Sequence, residues 1–192
     1  MVPQEIMDEM RRIGRMLESR GLILSARSGN ISVRSGNRIF IKRSGAMMGY
    51  LRDEDIVEAE ISDENPEGAS VEYKVHRAIY LNTDFKAVIH AHTPYAIVES
   101  MAGKDIEPID AEGRYYFQKI PVLDVKKAIS SDEVVEKIPS VIEKYGVAVV
   151  RAHGTFAAAM NLEDAFSRIT EVESACMIRY LCRKGGSECS TG

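Results

Sequence analysis

The stretch Ala87-Val88-Ile89-His90-Ala91-His92 runs from apolar residues into two imidazoles, and Thr93-Pro94 closes it. A short apolar run is compatible with a buried strand or with a segment of helix. Its β-branched residues and the Thr-Pro that follows favour a strand delivered to a helix N-terminus. Strand side chains alternate between faces, so imidazoles at i and i+2 project on the same side and form a two-nitrogen clamp. In isolation, an H-x-H pair is more often a pair of hydrogen-bonded histidines, and the rest of the chain has to decide.

Upstream, Ile6, Met10, Ile13 and Leu17 share one helical face opposite Asp8, Glu9, Arg12 and Arg15, with Gly21 as a stop. The polar segment Ser25-Ala26-Arg27-Ser28-Gly29-Asn30 leads into Ile31 to Arg34, a Ser35-Gly36-Asn37 turn and Arg38 to Lys42, a β-hairpin pattern. A second small-residue loop, Arg43-Ser44-Gly45-Ala46, follows. Such loops either present N–H groups and hydroxyls to a phosphate, with Arg27, Lys42 or Arg43 adding charge, or serve as plain turns. Ile56 to Ile61 is compatible with a strand, and Asn65 to Gly68 with a turn. Ser70 has the character of an N-cap for a short helix with Val71, Val75, Ala78 and Ile79 on one face. Glu72 then falls in the first turn, where the helix dipole alone favours a carboxylate, and His76 lies one turn on, a hydrogen-bonded structural histidine in its simplest reading.

Beyond the central run, Thr93 is expected to cap a helix with Pro94 at its first position and Gly103 at its end. Residues 104–118 lack periodicity and read as a long loop carrying Arg114-Tyr115-Tyr116-Phe117. Ile120 to Val125 reads as a short strand, and Ser130-Ser131-Asp132-Glu133 as a capping box opening a helix that Pro139 should kink or interrupt. Gly146 to Val150 is a buried strand delivering Arg151-Ala152-His153-Gly154. The last helix is capped by Asn161, carries Leu162, Ala165, Ile169, Val172 and Cys176 as its stripe, and stops at Gly185-Gly186. Residues 185–192 are expected to fray. No repeat, G-x-G-x-x-G turn or Walker loop is present, so a nucleotide cofactor lacks support.

With 192 residues, 45% of them hydrophobic and 28% charged, residues 1–192 are read as one domain. A net charge of −4 gives no general attraction to nucleic acid or to an anionic membrane. No apolar stretch approaches the ~20 residues of a membrane span, and the N-terminus is amphipathic instead of signal-like, so a cytoplasmic protein is expected. Cys176, Cys182 and Cys189 are odd in number and lack C-x-x-C spacing, which implies reduced thiols.

Five separated motifs bear jointly on function: Ser28-Gly29-Asn30-Ile31-Ser32, Ser44-Gly45, Glu72 within Ser70-Val71-Glu72-Tyr73-Lys74-Val75-His76, His90-Ala91-His92-Thr93-Pro94, and Arg151-Ala152-His153-Gly154. In this order they resemble the class II aldolase/adducin family over nearly the whole chain, from about Gln4 to Arg183. The resemblance implies an α/β chain with a three-layer α/β/α architecture and a mainly antiparallel central sheet. It also implies a homotetramer with active sites at subunit interfaces. Within the family the length is most similar to the short aldolases acting on L-fuculose 1-phosphate.

By the same resemblance, Glu72, His90, His92 and His153 would bind the metal, a nitrogen and oxygen set suited to Zn²⁺. Asn30, Ser44, Gly45 and Ser70 would hold the phosphate of a phosphorylated sugar. The implied reaction is reversible cleavage of a phosphorylated ketose to dihydroxyacetone phosphate and an aldehyde such as lactaldehyde, with a divalent metal stabilising the enediolate. Glu72 would leave the metal and move the proton at C3, and Tyr115 or Tyr116 from a neighbouring subunit would act as acid toward the aldehyde. Val71 and Ala152 depart from the family's usual serine and asparagine, as does Lys42-Arg43 from its threonine-proline pair. A sugar-phosphate 4-epimerase using Asp110 and a non-catalytic adducin-like module are the alternatives; the second would be expected to have lost metal ligands.

Overall fold

In the computed structural model, which describes residues 2–185, apolar alternation along the strands builds a central sheet with a helical layer on each face. In chain order the elements are α1 (Gln4–Ser19), β1 (Asn30–Ser35), β2 (Arg38–Lys42), a 3-10 turn (Asp53–Asp55), β3 (Ile56–Glu60), α2 (Tyr73–Asn82), β4 (Ala87–Ala91), α3 (Pro94–Ser100), α4 (Ala111–Tyr116), β5 (Val122–Leu123), α5 (Asp132–Tyr145), β6 (Val147–Val150), β7 (Gly154–Ala159) and α6 (Leu162–Lys184). The seven strands lie in the order β3-β2-β1-β4-β7-β6-β5, and only the β5–β6 pair is parallel. Among the described residues no helix is long and apolar enough to cross a membrane.

The strand period of two sorts the core. Ile31, Phe40, Ile89, Val149 and Ala157 face α1, α3 and α6, meeting Met10, Ile13, Leu17, Ala96, Leu162 and Ile169. Ile39, Ile41, Val88, Ala148, Val150 and Phe156 face α2 and α5, meeting Val75, Ile79, Val134, Ile138 and Ile142. Each fully buried Ile or Leu contributes about 1.5–3 kcal/mol by leaving water. The two layers clamp β4, the H-x-H strand, at the centre of the sheet with β1 on one side and β7 on the other. His90 follows Val88 in the alternation and therefore stands on the α2–α5 side.

Several local expectations need correction. The supposed loop 104–118 contains α4, capped by Asp110, whose carboxylate accepts the Gly113 N–H at 2.8 Å. The six-residue helix is too short to show a period. The expected Ile120–Val125 strand shrinks to Val122–Leu123, with Ile120 in an isolated bridge to Ile106. Helix α5 runs through Pro139 without interruption, because Val134, Ile138 and Ile142 are buried against the sheet and packing outweighs one lost hydrogen bond. No capping box opens it: Ser131 alone caps Val134, and the Glu133 carboxylate accepts from Lys126 instead. Helix α2 begins at Tyr73, so Glu72 holds the N-cap position itself. The Ser70 N–H is tied to the Lys42 carbonyl at 3.1 Å, which keeps Ser70 with the end of β2 and out of the helix.

Near the C-terminus, Cys176 is buried and free, but Cys182 is disulfide-bonded and not reduced as expected. An odd cysteine count speaks for the chain as a whole and not for any one pair. Cys189 and the expected frayed tail beyond Gly185 lie outside the described residues.

Candidate active site

The end of β4 delivers His90 and His92 to the same face, with their Nε2 atoms 3.2 Å apart. His90 is fully buried, and its ring stacks on Phe156, its cross-strand partner, at 4.1 Å between centroids. Its Nδ1 lies 3.2 Å from the Thr155 carbonyl. A carbonyl only accepts, so this bond puts the ring proton on Nδ1 and leaves the Nε2 lone pair directed at His92.

His153 arrives from the turn between β6 and β7. Ala152 adopts a left-handed φ of 59° there, and its N–H donates to Ser100 Oγ at 3.1 Å. Arg151 pins the same turn through Asp124 at 2.8 Å and the Met101 carbonyl at 3.1 Å. Gly154 then passes so close to β4 that a Cβ would lie 2.5 Å from the Ala91 carbonyl oxygen and 2.9 Å from His90 Cε1. One potential ligand nitrogen from each of His90, His92 and His153 lies within 4.8 Å of the others.

The segment after His92 is held by groups that sequence reading missed. Thr93 does not cap α3 with its hydroxyl, which meets Thr155 Oγ1 at 2.6 Å. Glu173 of α6 caps the helix from outside, accepting the N–H groups of Tyr95 and Ala96 at 3.0 Å each. The distance along the chain hides this contact from any local pattern.

Glu72 is buried beside the histidines, its Oε1 3.9 Å from His153 Nε2. The Ser130 N–H donates to Oε1 at 3.1 Å, while Oε2 is buried without a partner. Burial raises the Glu72 pKa to about 7 against the opposing Ser130 bond. Burial also holds His90 well below its ordinary value and His153 at about 4, and it lowers His92. Three neutral imidazoles facing one another, one with its outer nitrogen tied to a carbonyl and an unsatisfied carboxylate oxygen alongside, fit a divalent cation.

A cavity of about 270 Å³ joins this cluster to the small-residue loops, lined by Arg27, Ser28, Gly29, Asn30, Lys42, Ser44, Gly45, Ser70, Val71, Glu72, His90, His92, Ile129 and His153. Asn30 Oδ1 is buried without a partner. Lys42 Nζ, almost fully buried, donates to the carbonyls of Ala46 at 2.8 Å, Arg27 at 3.3 Å and Arg43 at 3.4 Å, and burial lowers its pKa to about 8. The lysine thereby ties both loops to the end of β2. A larger cavity of about 620 Å³ between α2 and α5, lined by Glu64, Lys74, Arg77 and Glu136 among others, contains none of the histidines and has no comparable convergence of ligands.

His76 stands apart from the cluster. Its Nδ1 lies 2.7 Å from Ser32 Oγ, which also meets Tyr80 OH at 2.7 Å, and burial lowers its pKa to about 3. Tyr115 and Tyr116 lie exposed on α4 and do not line this cavity. Asp110 caps α4 through Oδ2, while its Oδ1 is buried without a partner.

A seven-stranded, mainly antiparallel sheet between two helical layers, with an H-x-H strand at its centre, defines a class that comparison with known proteins identifies directly. The chain belongs to the class II aldolase family: the family described as Class II Aldolase and Adducin N-terminal domain matches residues 8–180. Among solved structures it is similar to L-fuculose-1-phosphate aldolase from Thermus thermophilus, with a TM-score of 0.91 and 31% identity over 96% of this chain and 97% of that one. Among curated relatives it is 27% identical to an L-fuculose phosphate aldolase of Methanocaldococcus jannaschii over 88% of this chain and 93% of the relative. It is 26% identical to the 5-methylthioribulose-1-phosphate/5-deoxyribulose-1-phosphate aldolase of Rhodospirillum rubrum, over 81% of this chain and 72% of the relative.

Proposed function

We propose that the protein is a zinc-dependent aldolase that reversibly cleaves a phosphorylated ketose of the L-fuculose 1-phosphate type to dihydroxyacetone phosphate and an aldehyde such as lactaldehyde. The observation that carries this reading is one cavity lined both by the imidazoles and a buried carboxylate and by the small-residue loops. The two sets of residues suit the two functional groups of a ketose phosphate, an α-hydroxy ketone and a phosphate.

In this reading His90, His92, His153 and Glu72 hold the cation, which supplies Lewis-acid stabilisation of negative charge on the substrate's oxygens. Glu72 serves as the base that carries the C3 proton. Its buried, unpartnered Oε2 beside the imidazoles supports that role. Asn30, Ser44, Gly45 and Ser70 bind the phosphate, with Lys42 holding their loops in register. Tyr115 or Tyr116 acts as acid in the cavity of a neighbouring subunit, which makes the enzyme a homotetramer with interfacial sites. Residues 1–192 form one cytoplasmic domain of this type.

The experiment is to add dihydroxyacetone phosphate in heavy water and follow C3 proton exchange, then to offer aldehydes and the candidate ketose phosphates. Exchange without aldehyde is the expected result. Absence of exchange together with epimerisation of a pentulose phosphate would replace the aldolase reading by the epimerase one, and inactivity on both would favour the adducin-like module.

A further inference from the structure

In the segment between β5 and α5, Ser130 hydrogen-bonds to Glu72 and to the residue before it. Its N–H donates to Glu72 Oε1 at 3.1 Å, and its hydroxyl donates to the carbonyl of Val71, the residue immediately before Glu72. Ser130 holds these bonds at a φ of 45°, a region that side-chain-bearing residues rarely enter. The hydroxyl bond offsets that conformation, and the conformation in turn aims the N–H at the carboxylate. No other hydrogen-bond donor to the Glu72 carboxylate is present among the described residues: Oε2 is unpartnered, and the nearest imidazole nitrogen that pairs with Oε1 is 3.9 Å away.

We propose that Ser130 is a positioning residue, a latch that holds the Glu72 carboxylate beside the three imidazoles instead of on the metal they would bind. The proposal rests on the reading of Glu72 as the base, for which the off-metal position is the working one. A carboxylate released from the latch is free to turn toward the cation. The latch therefore sets how Glu72 divides between the roles of ligand and base.

The test uses the full chain and Co²⁺ alone as a probe, read by visible absorption and by titration, beside C3 exchange of dihydroxyacetone phosphate. In Ser130→Ala the freed carboxylate should alter the cobalt spectrum and tighten Co²⁺ binding by roughly fivefold, the scale of one net hydrogen bond. Exchange turnover should fall by a similar factor with little change in KM. In a Glu72→Gln background the same Ser130→Ala substitution should leave the cobalt spectrum and affinity unmoved, because residues acting through one another do not add. Ser130→Gly also lacks the hydroxyl anchor and, with no Cβ, is free to leave this backbone angle, so it should repeat the cobalt result if the alanine variant folds poorly. Wild-type cobalt behaviour in both variants, or an effect that persists in the Glu72→Gln background, overturns the latch. If the wild-type protein exchanges no C3 proton, the aldolase reading fails, and the cobalt comparison alone decides for or against the latch.

Discussion

The Nδ1 of His90 donates to the carbonyl of Thr155, 3.2 Å away across the β4–β7 ladder and 65 residues further along the chain. Thr155 is thus a backbone partner that sets the tautomer of a candidate ligand, and its side chain meanwhile pairs with Thr93 at 2.6 Å. The strand pairing that builds the sheet also selects which nitrogen of His90 faces the site.

Removing the second imidazole of the H-x-H pair should remove the metal. The wild type is expected to carry roughly one zinc per chain and His92→Ala to lose most of it, because two nitrogens and a carboxylate that stands aside make a poor cage. Elemental analysis after dialysis reads this directly, and full metal content together with full activity would reject the H-x-H assignment.

Glu72→Gln separates the base from a residue that only steadies a helix start. A carboxylate that only favours a helix N-terminus contributes about 0.3–1 kcal/mol, and its loss leaves catalysis alone. Loss of a positioned base slows the proton transfer by ~10²–10⁴. Zinc-loaded Glu72→Gln should remain folded and exchange the C3 proton at least about a hundredfold more slowly. Exchange at the wild-type rate would exclude Glu72 as base.

Gly154→Ala should damage the site without substituting a ligand. Its Cβ would stand 2.5 Å from the Ala91 carbonyl oxygen and 2.9 Å from His90 Cε1, and one contact is backbone that cannot yield. Overpacking of this kind costs typically about 1–3 kcal/mol. Chemical denaturation should show that loss together with weaker metal binding; a variant with unchanged values of both would contradict the close approach.

Metal-free protein should lose stability in acid through His76. Its folded pKa of about 3 lies below the ordinary 6.5, so between those values the unfolded chain binds the proton and the native one does not. Stability contributed by the neutral imidazole is present above pH 6.5 and falls by about 1.4 kcal/mol per pH unit below it. Glu72 acts with the opposite sign, since its pKa rises from 4.5 to about 7 on folding and protonation between those values favours the native state. In a Glu72→Gln background the loss should therefore begin near pH 6.5, with His90, His92 and His153, also lowered by burial, adding to the His76 slope. Denaturation series for that variant with and without His76→Gln measure the difference, and equal slopes would remove His76 from the account.

Dilution tests the tyrosines. If Tyr115 or Tyr116 works in a neighbour's cavity, specific activity should fall as tetramers dissociate, and Tyr115→Phe with Tyr116→Phe should impair aldol cleavage while sparing C3 exchange. A fully active monomer by light scattering would take the cross-subunit acid out of the mechanism.

The parts of the molecule legible in the sequence are those with a local signature. The α1 and α6 faces repeat every turn, the β1–β2 hairpin has Gly36 at a φ of 59° in its turn, and β4 ends in paired histidines. Strand β7 escapes because Gly-Thr-Phe-Ala-Ala-Ala carries little strand preference; it exists through pairing with both β4 and β6, and its small residues admit α6 closely. In the site, the candidate ligands and loop residues can be named from motifs, and the structure gathers them around one cavity. Their supports cannot be named. Thr155, Glu173 and Ser130 act through backbone groups 58 to 78 residues away in sequence, where no spacing rule reaches.

The position of β4 also fixes when in a chain's life the histidine cluster can exist. Both neighbours of that strand are antiparallel, one made before it and the other only after residue 153 has been added. During synthesis from the N-terminus, His90 and His92 emerge more than sixty residues ahead of Gly154 to Ala159, so a growing chain has its clamp long before it has the wall that orients it. Any metal capture in this geometry belongs to the finished sheet, and most of the polypeptide has left the ribosome before the site has a shape.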